Sequence, residues 1–476
     1  MSGGMFFILS IALLIGGYIV YGAIVDNVFK PDPNRVVPAI SKADGVDYVE
    51  MPAWKIFLIQ LLNIAGLGPV FGPILGALYG PAALLWVVFG CIFAGAVHDY
   101  FSGMMSLRYD GASVPDMVGK NLGKIARQFM IYFSIVVLVL VGVVFVNGPA
   151  GLLSKISGIQ PMTWVIIIFA YYFLATIMPI DVIIGRIYPI FAAILLFMAF
   201  SLPIMLFAKG YTVLPNLDFA TNTHATLPLW PMVFITIACG AISGFHATQS
   251  PMMARCMSNE KQGRKIFYGA MIAEGVIAVV WCTLGLSFYE GAEGLRTALG
   301  PTGNAALVVS EVSNTLLGAG FGGTLAILGV VVLPITSGDT AFRSARLTIA
   351  DIFKAPQQTI TSRLMIAVPL FLIGAVLSQV NFGIIWRYFG WANQTLAMFM
   401  LWTAAVYLGR RGKFHWICSI PATFMTAVCM TYLCFDKIGF GLPYETANII
   451  GIGSAVVCFI FFMIKGSSPS KDKLEE

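Results

Sequence analysis

Polar and apolar positions along this chain do not alternate with the short period of a soluble helix or strand. They fall into long apolar runs joined by brief polar, Gly-rich or Pro-rich links. Thirteen runs stand out, at approximately 5–25, 53–79, 82–107, 129–149, 162–181, 187–208, 229–255, 266–289, 322–352, 363–380, 384–408, 415–434 and 446–464. A helix needs roughly 20 apolar residues to cross the hydrocarbon core of a bilayer. The pattern therefore predicts an all-α polytopic membrane protein of about 13 transmembrane helices. The first run lacks a basic segment before it and is long for a cleaved signal, so it is expected to remain as a helix. The links at 26–52 and 290–321 are too short for folded domains, and the polar tail GSSPSKDKLEE is expected to be disordered.

Composition agrees. With 58% hydrophobic and 11% charged residues, a water-soluble chain could not bury its apolar surface. The net charge of +6 is no nucleic-acid signature, because the basic residues are spread over the links. With the N-terminus outside, 23 of the 28 Lys and Arg fall on the cytoplasmic side, Arg186 and the tail residues Lys471 and Lys473 among them. That asymmetry is the positive-inside pattern, and it puts the C-terminus in the cytoplasm. The eight cysteines form no CxxC pair and the four histidines are scattered, so neither a disulfide framework nor a metal site is expected. No HExxH, GxSxG or P-loop occurs, and an enzyme is not expected.

Two runs are interrupted at matching places. The second contains GLGPVFGP, Gly66 to Pro73, where Pro69 and Pro73 leave the carbonyls of Ala65 and Pro69 without helical donors. The seventh contains GAISGFHATQSP, where Ser250 before Pro251 reads as the cap and first residue of a new half-helix; Gly72 before Pro73 reads likewise. Gly68 and Gly244 are 176 residues apart, and half of the ten-run stretch from 54 to 408 is about 177. An odd number of runs separates the breaks, so the broken helices enter from opposite sides. This is the signature of an inverted repeat with a ligand site at the repeat interface. The plainer reading is a pair of kinks or small-residue packing faces.

Ionisable groups inside the runs are further candidates. Asp339, in LPITSGDTAFRSARLTIAD, has Thr336, Ser337 and Thr340 beside it, oxygens suited to Na⁺ or a proton; the alternative is an ion pair with Arg343. His246 lies inside the second break and either exchanges protons or bonds a freed carbonyl. His98 and Asp99 read as a gate near a run's cytoplasmic end. Glu274 reads as a partner for a basic loop residue, or else as part of a proton relay. Asn393 and Gln394 read as uncharged ties between helices.

The stretches QLLNIAGLGPVFGPILGALYG, LLWVVFGCIFAGAVHDYFSGMMSLRYDGAS, GFHATQSPMMAR with YGAMIAEGVIAVV, ITSGDTAFRSARLTIAD and RYFGWANQTLA resemble the carbon starvation (CstA) family, in the same order over about 50–410. The resemblance implies an inner-membrane secondary carrier of the amino acid–polyamine–organocation type. Peptide uptake and proton-coupled pyruvate uptake have both been assigned to that family. This chain is shorter than the long members and lacks their extended C-terminal region. The resulting expectation is one helix and a linker over 1–52, five-helix repeats over 53–208 and 229–408 forming a LeuT-like 5+5 core, and two helices with a tail over 409–476. Gly66, Gly68, Val70, Phe71 and Gly72, with Gly244, His246, Thr248, Gln249 and Ser250, would bind a small carboxylate or peptide. Ala65, Thr336, Ser337, Asp339 and Thr340 would hold the coupling cation, H⁺ or Na⁺. No cofactor, nucleic acid or defined oligomeric state is implied. A passive channel and a membrane sensor or accessory subunit without flux are the rival readings.

Overall fold

The computed structural model describes residues 2–45, 47–177, 180–300 and 303–469, with side chains throughout except at 180–189. The side chain of Arg186 and the end of the tail, 470–476, with Lys471 and Lys473, thus lie outside what is described. Helices account for the secondary structure, and no strand occurs among the described residues. Nine of the described helices are long and apolar enough to cross a membrane, or ten if the bent pair Ala53–Ile64 and Gly68–Tyr79 counts as one. Of the other expected spans, Pro161–Ile177 is a shorter apolar helix of 17 residues, Phe382–Arg410 has 29 residues, and the run at 229–255 forms two pieces, Leu229–Thr236 and Gly244–Ala254.

The distribution of apolar side chains is that of a lipid-embedded bundle. In Glu260–Phe288, 83% of the most apolar stretch is buried, whereas in Gly3–Phe29 and Tyr444–Lys465 the figure is 22%. The outer helices present residues such as Ile8, Ile15, Ile449, Val457 and Phe461 to the surroundings. In lipid such exposure costs nothing, and helices are stable there because each satisfies its own backbone. The central helices are buried on all sides and carry the polar groups.

The half-helix Gly68–Gly76 packs on Gly269–Phe288, the helix that follows the second break, and Gly244–Ala254 packs on Ala96–Arg108, which follows the first. The two breaks touch. Gly68 lies against Cys239 so closely that a Cβ there would overlap the cysteine side chain, and Gly72 faces the Thr236 carbonyl. Small residues thus bring the two unwound segments into direct packing contact.

Each half-helix begins earlier than the Pro positions suggest. In the first break Ala65 leaves the helix (φ −77°, ψ 61°), and the new helix starts at Gly68 with Pro69 in its first turn. Pro73 sits inside that helix, and Leu67 accepts from the Val70 and Phe71 N–H groups at 3.1 and 2.8 Å. In the second break Gly240 adopts φ +91°, open to glycine at no steric cost. Ser243 then precedes a helix from Gly244 that runs through Ser250 and Pro251. Ser250 is not a cap: its hydroxyl donates to the His246 carbonyl at 3.0 Å and accepts from the Gln60 amide at 3.2 Å. Polar neighbours of this kind let a membrane helix absorb an internal proline.

On the side carrying the basic links, a vestibule of about 610 Å³ opens among Lys42, Tyr48, Asp110, Lys120, Arg127 and Arg255. A smaller pocket shares Ser113 and Arg255 with it and is lined also by Thr248, Ser344 and Thr348. At the opposite end the segment 219–227 covers Tyr79: the Thr223 hydroxyl donates to the Leu78 carbonyl at 2.8 Å, and the His224 ring lies 4.6 Å from the Tyr79 ring. Partial burial, with Arg296 nearby, holds this histidine below the usual imidazole range.

Candidate functional site

Unwinding a helix in hydrocarbon frees backbone groups that need new partners. At the first break the Gly66 N–H turns to the Ile64 carbonyl at 2.8 Å. The Leu62 carbonyl, left without its donor four residues on, accepts the Thr336 and Ser337 hydroxyls at 3.2 and 3.0 Å. At the second break Asn393 Oδ1 accepts from the Phe245 N–H at 2.7 Å and from the Ser243 hydroxyl at 3.1 Å. Gln394 donates to the Phe234 carbonyl at 2.7 Å. The Asn393–Gln394 pair therefore serves both ends of that break from a neighbouring helix. Asn393→Ala removes an acceptor for two donors that burial leaves without water. It is expected to cost ~1–3 kcal/mol, read as a lower unfolding temperature in detergent.

Beside the second break four ionisable side chains form a line. The Ala96–Arg108 helix is preceded by a π-helical stretch, Trp86–Gly95, whose end is marked by the Ala96 N–H bonding Cys91 five residues back. Gly95 meets the Ala241 carbonyl with no room for a Cβ, which draws the helix onto the break. His98 Nδ1 then lies 2.8 Å from Asp99 Oδ1, and Asp99 Oδ2 lies 3.0 Å from His246 Nδ1. On the other side of its ring, His246 Nε2 is 3.4 Å from Glu274 Oε2. All four side chains are fully buried. Asp99 accepts from both rings, so Nδ1 carries the hydrogen in each and Nε2 is left as an acceptor. His98 Nε2, His246 Nε2 and both Glu274 oxygens have no hydrogen-bond partner.

Cys239 Sγ, a His246 nitrogen and a Glu274 oxygen also lie within 4.8 Å of one another. The Cys239 thiol lies 3.3 Å from Ser243 Oγ.

The structure places the other predicted residues as follows. His98 and Asp99 are fully buried, and Asp99 is bonded to His246 of the second break. Gly66 is pressed on the Phe145 ring, Gly68 on Cys239, and Gly244 on the Asn393 carbonyl and Leu396. Gly68 and Gly244 thus meet packed protein and not one open cavity. Val70 and Phe71 are buried, the Phe71 ring 6.3 Å from Trp386. Thr248 lines the pocket below the vestibule, and Gln249 donates to its hydroxyl at 2.9 Å. Thr336 and Ser337 reach the first break, next to Ala65. Thr340 bonds back to the Thr336 and Ser337 carbonyls at 3.3 and 3.1 Å. Asp339 is not brought to this group. Two residues along a helix from Ser337 it points about 200° away, toward Tyr171, Tyr172 and Arg343. It forms no salt bridge with Arg343, and both its oxygens lack hydrogen-bond partners.

The profile of the family described as carbon starvation protein CstA matches residues 2–156, 150–290 and 286–432. The chain belongs to the CstA family. An uncharacterized membrane protein of Haemophilus influenzae is 46% identical over 62% of this chain and 94% of its own length. The peptide transporter CstA of Campylobacter jejuni is 26% identical over 93% of this chain and 80% of its own. The pyruvate/proton symporter BtsT of Escherichia coli is 28% identical over 57% of this chain and 47% of its own. In fold, this CstA-family chain resembles a Na⁺-coupled sialic acid symporter (TM-score 0.58, 14% identity, 95% of this chain and 96% of the other). It also resembles a nucleobase-cation-symport-1 family transporter (TM-score 0.53, 14% identity, 86% and 92%).

Glu274 is the residue that sequence reasoning placed least well. Its signal was an acid alone in the apolar run MIAEGVIAVVW, but nothing local pointed to His246, 28 residues away.

Proposed function

We propose that this chain is a secondary active transporter of the bacterial plasma membrane. It takes up pyruvate or short peptides together with a cation, H⁺ in the first instance, in response to carbon starvation. The names of its relatives support this reading. The observation that carries it is the pair of unwound segments in direct contact inside the bundle, with a buried chain of ionisable groups beside them. Unwound backbone at membrane depth is tolerated where it serves a ligand or cavity. The reciprocal packing of each half-helix on the helix after the other break supports a 5+5 inverted repeat. Residues 53–208 and 229–408 are the two repeats, one helix precedes them and two follow, with the N-terminus outside and the C-terminus in the cytoplasm.

The carboxylate of the substrate is held by the N-terminal turn of the second half-helix, around Gly244 to Ser250, and of the first, around Gly68 to Gly72. The positive dipole end of each half-helix favours an anion there. Entry from the vestibule leads to Thr248. The Thr336 and Ser337 hydroxyls both donate to the Leu62 carbonyl and hold the first break in its unwound form. With the purified protein in proteoliposomes, an inward proton gradient is expected to drive accumulation of labelled pyruvate or of a dipeptide above its equilibrium level. A Na⁺ gradient alone is expected not to do so. Entry of both substrates only down their own gradients would make the protein a channel, and no entry at all would make it a sensor or subunit.

A further inference from the structure

We infer that His246 and Glu274 together hold the coupling proton, and that Asp99, itself held by His98, positions the His246 ring for it. The inference rests on the transport reading above and assigns the ion site within it.

Geometry and charge carry the argument. With both rings neutral, the four groups bear two negative charges, on Asp99 and Glu274. Among the described residues no Lys or Arg pairs with any of them. The other described titratable groups facing the cluster are Cys91, from the π-helical stretch, and Cys239, from the break; neither supplies a positive charge. Two buried carboxylates without a cation are costly, and one acceptor facing another at 3.4 Å is unsatisfied. A proton on either His246 Nε2 or Glu274 turns that contact into a hydrogen bond and removes one charge. The proton forms one N–H or O–H bond at a time, so the pair titrates as a unit. Asp99 takes a hydrogen bond from each ring, so the His246 Nδ1–H points to Asp99 while Nε2, which has no hydrogen-bond partner, faces Glu274.

The coupling to substrate follows from position. His246 is the third residue of the half-helix that begins at Gly244. A proton on its ring adds positive charge to the helix end that attracts an anion; its loss leaves Glu274 facing that end unopposed. Proton and carboxylate thus favour each other's binding, by the same factor in both directions. Substrate binding weakens as pH rises through the range where the pair releases its proton.

The test compares wild type with Glu274→Gln in proteoliposomes and in detergent. For one proton per substrate, a step of about one pH unit drives about tenfold accumulation. Wild type is expected to reach that level and Glu274→Gln none of it, while the variant still exchanges internal for external pyruvate. In weakly buffered detergent, pyruvate is expected to make wild type take up protons, seen with a pH dye, and to leave Glu274→Gln silent. Accumulation driven by the gradient in Glu274→Gln, or equal proton uptake in both, overturns the inference. If Glu274→Gln does not fold, Glu274→Asp decides: a shifted pH profile of exchange supports the site, and an unshifted one overturns it. Absence of pyruvate and dipeptide exchange in wild type itself is a different result and would instead remove the transport reading.

Discussion

Replacing Gly68 with alanine is expected to destabilise the folded protein by about 3 kcal/mol, the upper end of what overpacking a membrane or soluble core costs. The added methyl would occupy the space of Cys239 Cβ and Sγ. That neighbour is not the far end of a flexible side chain, so relief needs movement of one unwound segment against the other. Transport is expected to fall with stability. Cys239→Gly in the same chain empties the space and is expected to recover most of the loss, whereas Gly72→Ala, facing the Thr236 carbonyl at 3.1 Å, should gain nothing from it. Unfolding temperatures of the single and double variants measure the coupling. A double variant no better than Gly68→Ala alone would mean that the glycine serves its backbone and not the contact.

The second large effect is expected at Glu260, on the side of the basic links. This carboxylate is fully buried. It accepts the Asp32 N–H at 2.7 Å and Arg108 Nε and Nη2 at 3.2 and 3.1 Å. Arg108 also donates to the Lys30 carbonyl and stacks on Phe29. One acid therefore ties the link after the first helix to two core helices. Glu260→Ala leaves the guanidinium without its counter-charge and is expected to cost ~3–5 kcal/mol, read as a lower unfolding temperature and as faster proteolysis near residues 30–35. Glu260→Gln keeps an acceptor and should lose less. Equal losses in both would show that the charge, and not the hydrogen bonds, holds the link.

Much of the architecture was legible because lipid imposes a simple rule. A segment at membrane depth must satisfy its own backbone, so apolar length alone marks a helix, and the described helices lie where the runs lie. The breaks were legible as places rather than as residues. Proline announces a missing N–H, yet Pro73 and Pro251 both sit inside their half-helices. The chain actually unwinds at Ala65 and at Gly240, where backbone angles and tertiary acceptors decide. Which polar groups would meet was legible only in part. His246 and the pair His98–Asp99 each stood out singly, but their bond spans 147 positions and depends on Gly95 lying against the Ala241 carbonyl. For Asp339 the helical period was the missing consideration: spacing of two from Ser337 puts it on another face. Asn393 and Gln394 do tie helices, as uncharged polar residues in an apolar run suggest, although nothing local says that they tie the two ends of one break.

The segment over Tyr79 bears on how the protein could be reached by an inhibitor. It is fastened by Thr223 to the Leu78 carbonyl and by Arg296 to the Thr223 carbonyl at 2.8 Å each, while the other end of the molecule stands open. A compound shaped to the vestibule meets a ready-made cavity, but in the orientation proposed above, with the basic links in the cytoplasm, it must first cross the bilayer. A compound or antibody fragment that recognises the fastened segment needs no such passage. It would act by keeping a cover shut, so its potency would depend on how much of the time that cover is closed.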